Sequence, residues 1–189
     1  MTVTLEHIRE VKATADCLHD AKEIAAAYDK LARDITAALG DKNPLVISLM
    51  NGGLIAAGQI LPRLDFVLQI DFIHATRYRN QTVGGATLDW KVLPHQNLKD
   101  RHVLLIDDIL DEGMTLYEVK QFCVKEGAAS VSIAVLADKK HNRRNPPGFK
   151  AEFTGLYIED RYVFGCGMDY KGYLRNANGI YAVAEKLLK

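Results

Sequence analysis

The chain has 189 residues, 48% hydrophobic and 25% charged, and its 24 Lys and Arg balance 24 Asp and Glu. This composition suits one globular domain over residues 1–189 with a sizeable core; it excludes disorder and offers no basic footprint for nucleic acid or an anionic membrane surface. No apolar run approaches the roughly 18 residues of a spanning helix, and Glu6, His7 and Arg9 interrupt any signal-peptide core, so a cytoplasmic protein is expected.

Thr2 to Leu18 reads as a lead-in of mixed character. Asp20 to Leu39 predicts an amphipathic helix: Asp20 can cap it, Glu23 follows three residues later, and Ile24, Tyr28, Leu31, Ile35 and Leu39 recur at helical spacing before Gly40. Leu45 to Met50 is an apolar strand, followed by Asn51, Gly52 and Gly53 and by a helical stretch with Ile55, Ala56, Ile60 and Leu61 that ends before Pro62. Strand, glycine pair and helix make a candidate anion seat, although glycines also serve plain tight turns in α/β folds. Phe66 to Ile73 alternates as a strand. From His74 to Pro94 the chain is polar and Gly-containing, with Arg77, Tyr78, Gly84, Gly85 and Trp90, and it has a short apolar return at Leu88 to Leu93. A long hairpin and a functional lid both fit that segment.

Val103 to Leu116, V-L-L-I-D-D-I-L-D-E-G-M-T-L, carries the densest chemistry. Its first four residues have the pattern of a strand buried on both faces, as in a parallel sheet covered by helices. The run meets Asp107 and Asp108 at its carboxyl end, a third carboxylate follows at Asp111, and Glu112, Gly113, Met114 and Thr115 lead into a helical pattern. In open α/β sheets, ligands bind in the crevice beyond such strand ends. A helix starting near Met114 offers unpaired N–H groups, Gly113 lets the backbone come close, and the Thr115 hydroxyl can donate, which together make a phosphate seat. Asp107 and Asp108 suit ribose hydroxyls or a Mg²⁺ that keeps its waters and takes substrate oxygens. The expected ligand is therefore a sugar phosphate; the plain alternative is an acidic cluster on a solvated turn.

Val131 to Leu136 predicts the next parallel strand, reached by a right-handed crossover, with Asp138, Lys139 and Lys140 at its end. By composition the run K-K-H-N-R-R is a solvated basic loop. Asn142 to Gly148 is turn-rich, Phe153 to Ile158 and Ile180 to Val183 read as strands, and Ala184 to Lys189 as a short tail. Cys17, Cys123 and Cys166 lack any C-x-x-C, and the six His include no metal-binding pair, so neither a disulfide framework nor a built-in transition metal is indicated.

The Val103 to Leu116 stretch resembles the phosphoribosyl pyrophosphate (PRPP) motif of type I phosphoribosyltransferases. The order D-R-Y-V-F-G-x-G-M-D-Y from Asp160 resembles the purine-binding hood of hypoxanthine-guanine phosphoribosyltransferases. The likeness covers most of residues 45 to 175. It implies an α/β fold with a mainly parallel central sheet flanked by helices and a small hood subdomain made from chain-terminal elements. It implies transfer of the phosphoribosyl group from PRPP to N9 of hypoxanthine, and of guanine too, with Mg²⁺. Asp111 would be the acid/base group near purine N7, and Asp111, Glu112, Gly113, Met114 and Thr115 would hold the 5′-phosphate. Asn51 and Gly52, joined to the strand through a cis Met50–Asn51 peptide, would face pyrophosphate together with Arg77 and Arg175. Lys139 would bond the exocyclic oxygen, Tyr162 would stack on the base and Val163 would offer backbone groups to its edge. Asp169 would approach the purine 2-position or the metal, which Asp107 and Asp108 would hold, while Arg77 and Tyr78 would form a closing lid. Departures from the usual pattern are Asn51 in place of Lys, Glu112 in place of Ser or Thr, Met114 in place of a polar residue and Arg77 in place of Ser. Expected partners are PRPP, a 6-oxopurine base and pyrophosphate, in a homo-oligomer of two or four chains, with no nucleic acid or membrane. The alternatives are a PRPP-sensing regulator of nucleotide metabolism and an enzyme that prefers xanthine.

Overall fold

In the computed structural model, which describes residues 3–77 and 88–188, the apolar run at Val103 lies at the centre of a six-stranded sheet. After helix α1 (Leu5–Thr14) and strand β1 (Asp16–His19) come α2 (Ala21–Leu39), β2 (Leu45–Met50), α3 (Gly53–Ile60), β3 (Gln69–Arg77) and β4 (Leu88–Val92). They are followed by β5 (His102–Leu110), α4 (Met114–Lys125), β6 (Ser130–Lys139), β7 (Phe153–Ile158), β8 (Val163–Phe164) and β9 (Ile180–Ala182). The large sheet runs β4-β3-β2-β5-β6-β7, with β4 antiparallel to β3 and the other neighbours parallel.

The alternation along β5 explains why its sequence is continuously apolar. Leu104 and Ile106 enter one core with Ile24, Leu31 and Ile35 of α2, while Val103 and Leu105 enter the opposite core with Leu116, Val119 and Cys123 of α4. Helices therefore cover both faces, as the pattern requires. The amphipathic stretch after Asp20 forms α2, and its capping box is complete: Asp20 Oδ1 accepts the Glu23 N–H at 2.9 Å and Glu23 Oε2 accepts the Asp20 N–H at 3.0 Å.

Three sequence expectations need correction. The strand expected over Phe66 to Ile73 lies at Gln69–Arg77, because its partners and not its own alternation set its limits: Leu45 pairs with Gln69 and Met50 with His74, and β4 extends the ladder to Arg77. Strand β5 does not stop before the carboxylates but carries Asp107 and Asp108 within it, held by pairing with β6 as far as Leu110. The mixed lead-in contains α1 and β1. Thr4 caps α1 by accepting the His7 N–H at 3.2 Å, and Ile8 and Val11 are buried.

Strand β1 joins β9 and β8 in a separate three-stranded sheet, with a small core of Ile8, Val11, Phe164, Tyr170, Ala177 and Val183. This is the expected hood, made from both chain ends. Among the described residues no helix is long and apolar enough to cross a membrane.

Candidate active site

The sheet order reverses between β2 and β5, and the crevice beyond their carboxyl ends is where ligands bind in such sheets. A cavity of about 720 Å³ opens there, lined by residues far apart in the chain: Asn51 and Gly52 after β2, Asp107, Asp108 and Asp111 on and after β5, Thr115 of α4, Lys139 of β6, and Tyr162, Val163, Asp169 and Arg175 of the hood. A smaller adjoining cavity of about 190 Å³ shares the three aspartates and is bordered by Glu112, Gly113 and Thr115. Gly113 is the N-cap of α4 at φ +92°, and the first-turn N–H groups of the helix have no intrahelical partner, which is the arrangement of an anion seat. Met114 begins the helix, but its side chain is part of neither lining.

The Met50–Asn51 peptide is cis. It precedes Gly52, where a β-carbon would lie 2.5 Å from a carboxylate oxygen of Asp108, so only glycine lets this loop lie against the acid. From the other side, hood residue Gly167 at φ +112° comes so close that a β-carbon would sit 2.3 Å from the Gly52 carbonyl oxygen. Asp108 is buried beneath the two, and Asp107, half-buried, accepts its N–H at 2.9 Å. Burial pushes the Asp108 carboxyl up to about 6, against the pull of its bond with Asp107 and of Arg175; burial and the Asp108 charge push Asp107 well above the carboxylate range.

Lys139 and Asp111 meet at the far side of the cavity. The Lys139 Nζ, 6% exposed as a residue, donates to Asp111 Oδ2 at 2.6 Å, and His141 Nε2 lies 2.8 Å from Asp111 Oδ1. Burial alone would raise the Asp111 carboxyl, but the Lys139 and His141 contacts outweigh it and hold it below the ordinary value. The loop after β6 is fixed by Arg144, which donates to the Leu110 carbonyl at 3.0 Å, to the Asp111 carbonyl and to Asp138 Oδ1 at 2.5 Å, tying the ends of β5 and β6 together.

In the hood, Tyr162 is 42% exposed, and its ring meets Tyr170 edge-on at 5.4 Å. Val163 pairs with Ala182, and the bond from the Val183 N–H to the Tyr162 carbonyl makes this a non-hydrogen-bonded pair, so the Val163 N–H and C=O turn away from β9 on an edge strand. Asp169 Oδ1 accepts from Arg175 at 2.6 Å and its Oδ2 takes the Gly172 N–H at 2.7 Å; Arg175 also bonds the Gly167 carbonyl and stands 3.9 Å from Asp108. Arg77 ends β3 and Leu88–Val92 form β4, whereas Tyr78 and residues 79–87 of the expected lid lie outside the described residues.

Sequence reasoning missed His141 and Arg144, which composition assigned to a solvated basic loop. A signal was available: the run directly follows a buried strand end, so its first residues had to pass the site before reaching solvent.

Comparisons with known proteins give the family. The phosphoribosyl transferase domain family matches residues 14–171. The hypoxanthine-guanine phosphoribosyltransferase of Streptococcus pneumoniae is 31% identical, over 89% of this chain and 92% of the relative. The hypoxanthine-guanine-xanthine phosphoribosyltransferase of Tritrichomonas foetus is 29% identical, over 84% of this chain and 86% of the relative. A solved hypoxanthine phosphoribosyltransferase from Staphylococcus aureus shares the fold, with a TM-score of 0.86 at 24% identity and full coverage of both chains. The family model spans well over half of the chain and a relative at 31% identity covers nearly all of it, so this chain belongs to the phosphoribosyltransferase family.

Proposed function

We propose that the protein transfers the 5-phosphoribosyl group of PRPP to N9 of a 6-oxopurine, hypoxanthine and guanine, releasing pyrophosphate and forming the nucleotide for purine salvage. The observation that carries the choice of base is the Lys139–Asp111 pair, 2.6 Å apart within a cavity that also holds the start of α4 and Tyr162. An ammonium donates and cannot accept, so Lys139 selects an oxygen at the purine 6-position and rejects the 6-amino group of adenine. Asp111 stands beside it with the charge needed at N7: its carboxylate stabilises the base as N9 attacks and takes the N7 proton. Tyr162 supplies a face for the base, worth roughly 1 to 3 kcal/mol, and the outward N–H and C=O of Val163 read its edge.

The first turn of α4, from Gly113 through Thr115, holds the 5′-phosphate. Asn51, Gly52 and Arg175 face the pyrophosphate, with Arg77 and Tyr78 as the lid that excludes water from the ribosyl cation. The donor set at the end of β5 fits a hard cation: Asp107 and Asp108 are adjacent carboxylates raised by burial, Asp107 also by the Asp108 charge, with the Arg175 guanidinium no nearer to Asp108 than 3.9 Å. They would hold Mg²⁺ through its waters, and the ion when bound neutralises the departing pyrophosphate. Asp169 contributes there only by releasing Arg175.

The test is purified protein with PRPP and Mg²⁺ against hypoxanthine, guanine, xanthine and adenine, following nucleotide formation. IMP and GMP without AMP are expected. AMP formation would overturn the role of Lys139, and PRPP binding without turnover on any base would favour a regulatory protein.

A further inference from the structure

We infer that His141 is a positioning residue for Asp111: it anchors one carboxylate oxygen permanently, while the other oxygen passes from Lys139 to the purine. The inference rests on the reading of Asp111 as the acid/base group. Each Asp111 oxygen has its own partner, Oδ1 with His141 Nε2 at 2.8 Å and Oδ2 with Lys139 Nζ at 2.6 Å. To serve N7, the carboxylate must free one of them.

The backbone decides which. The Arg143 N–H donates to His141 Nδ1 at 3.0 Å, and a peptide N–H can only donate, so Nδ1 carries no proton. The imidazole is therefore neutral with its proton on Nε2, donating to Oδ1. Its side chain is 3% exposed, and its loop is pinned by Arg144 to the carbonyls of β5 and by Arg143 to Asp160 at 2.5 and 2.8 Å. His141 has no route away from Asp111. Lys139, on a flexible four-carbon stem, can turn to the exocyclic oxygen of the base and leave Oδ2 open. The N7–H bond then breaks toward Oδ2 as the bond from N9 to the ribose C1′ forms and pyrophosphate leaves with its electron pair. A fixed neutral donor on Oδ1 keeps the carboxylate from rotating and keeps it charged while the mobile cation is away.

The facing charges are Lys139 and Arg144 from β6 and its loop, Arg143 at 3.9 Å from Oδ1, Glu112 beside Asp111, and Asp160 after β7. The experiment compares His141→Leu, which fills the space without a donor, with His141→Gln, whose amide N–H replaces Nε2–H; Asp111→Asn is measured alongside. His141→Leu is expected to lower kcat about 10-fold with KM for PRPP unchanged, and to move the acid limb of kcat to higher pH, since the carboxylate has lost a donor. His141→Gln should recover most of both. Equal losses in the two variants with an unmoved acid limb, or wild-type kcat in His141→Leu, would overturn the inference. Imidazole ¹⁵N shifts of the wild-type protein give a test independent of variant folding: an Nδ1–H tautomer at neutral pH would also overturn it. Near-normal turnover in Asp111→Asn would instead refute the role of Asp111.

Discussion

Replacing Asp108 by Asn should stabilise the protein at neutral pH while abolishing its activity. Asp108 is 6% exposed and its carboxyl lies at about 6, against 3.8 for an ordinary Asp. The folded state thus binds this proton more tightly than the unfolded chain, so this contribution to stability is whole below 3.8 and is lost as pH rises from there through about 6. At pH 7.5 the ionised group costs about 3 kcal/mol, from a shift of roughly two units at 1.36 kcal/mol each. Removing the charge should raise Tm by about 5 °C or more at that pH in the presence of EDTA, and by about half as much at pH 5, where the unfolded chain is already ionised. Thermal and urea unfolding of both proteins at the two pH values make the comparison, with PRPP turnover as the control for lost function. An equal Tm change at both pH values, or a loss at pH 7.5, would refute the claim that a buried charge at Asp108 opposes folding.

Lys139→Met should cut kcat/KM for hypoxanthine by about 100-fold, since a charged hydrogen bond to the base is lost, and a change below threefold in steady-state kinetics would count against it. Gly52→Ala would force a methyl group to within 2.5 Å of the Asp108 carboxylate, so Kd for PRPP should rise at least about tenfold; isothermal titration with PRPP measures it directly. Asp20→Ala removes the capping box of α2 and should cost about 1 kcal/mol in urea unfolding with activity intact. Leu31→Ala, at a position with 0% exposure, should cost about 2 to 5 kcal/mol in the same assay.

What could be read from the chain depended on whether the signal was local. Helix α2 was legible because its cap, its apolar stripe and its end all lie within one stretch, and β5 because burial on both faces leaves a continuous apolar run. The limits of β3 were not, since β2 and β4 set them through pairing. Helix α1 escaped because ten residues with two buried side chains give little periodicity; docking on the hood, where His7 meets the Tyr170 hydroxyl at 2.9 Å, stabilises it. Of the residues that line the cavity, motif reading had named Asp107, Asp108, Asp111, Lys139 and those of the hood. His141 was not among them, because its importance lies in a bond to Asp111 across 30 positions of sequence.

The contact of Gly167 with Gly52 joins the part of the molecule proposed to grip the base to the loop proposed to grip pyrophosphate, with Asp108 enclosed between them. A hood movement large enough to lift Gly167 would let water reach that carboxylate and return its proton affinity toward that of a surface acid; closing the hood would expel the water again. The charge carried at the floor of the cavity is thus tied to how closely the hood sits on the loop after β2.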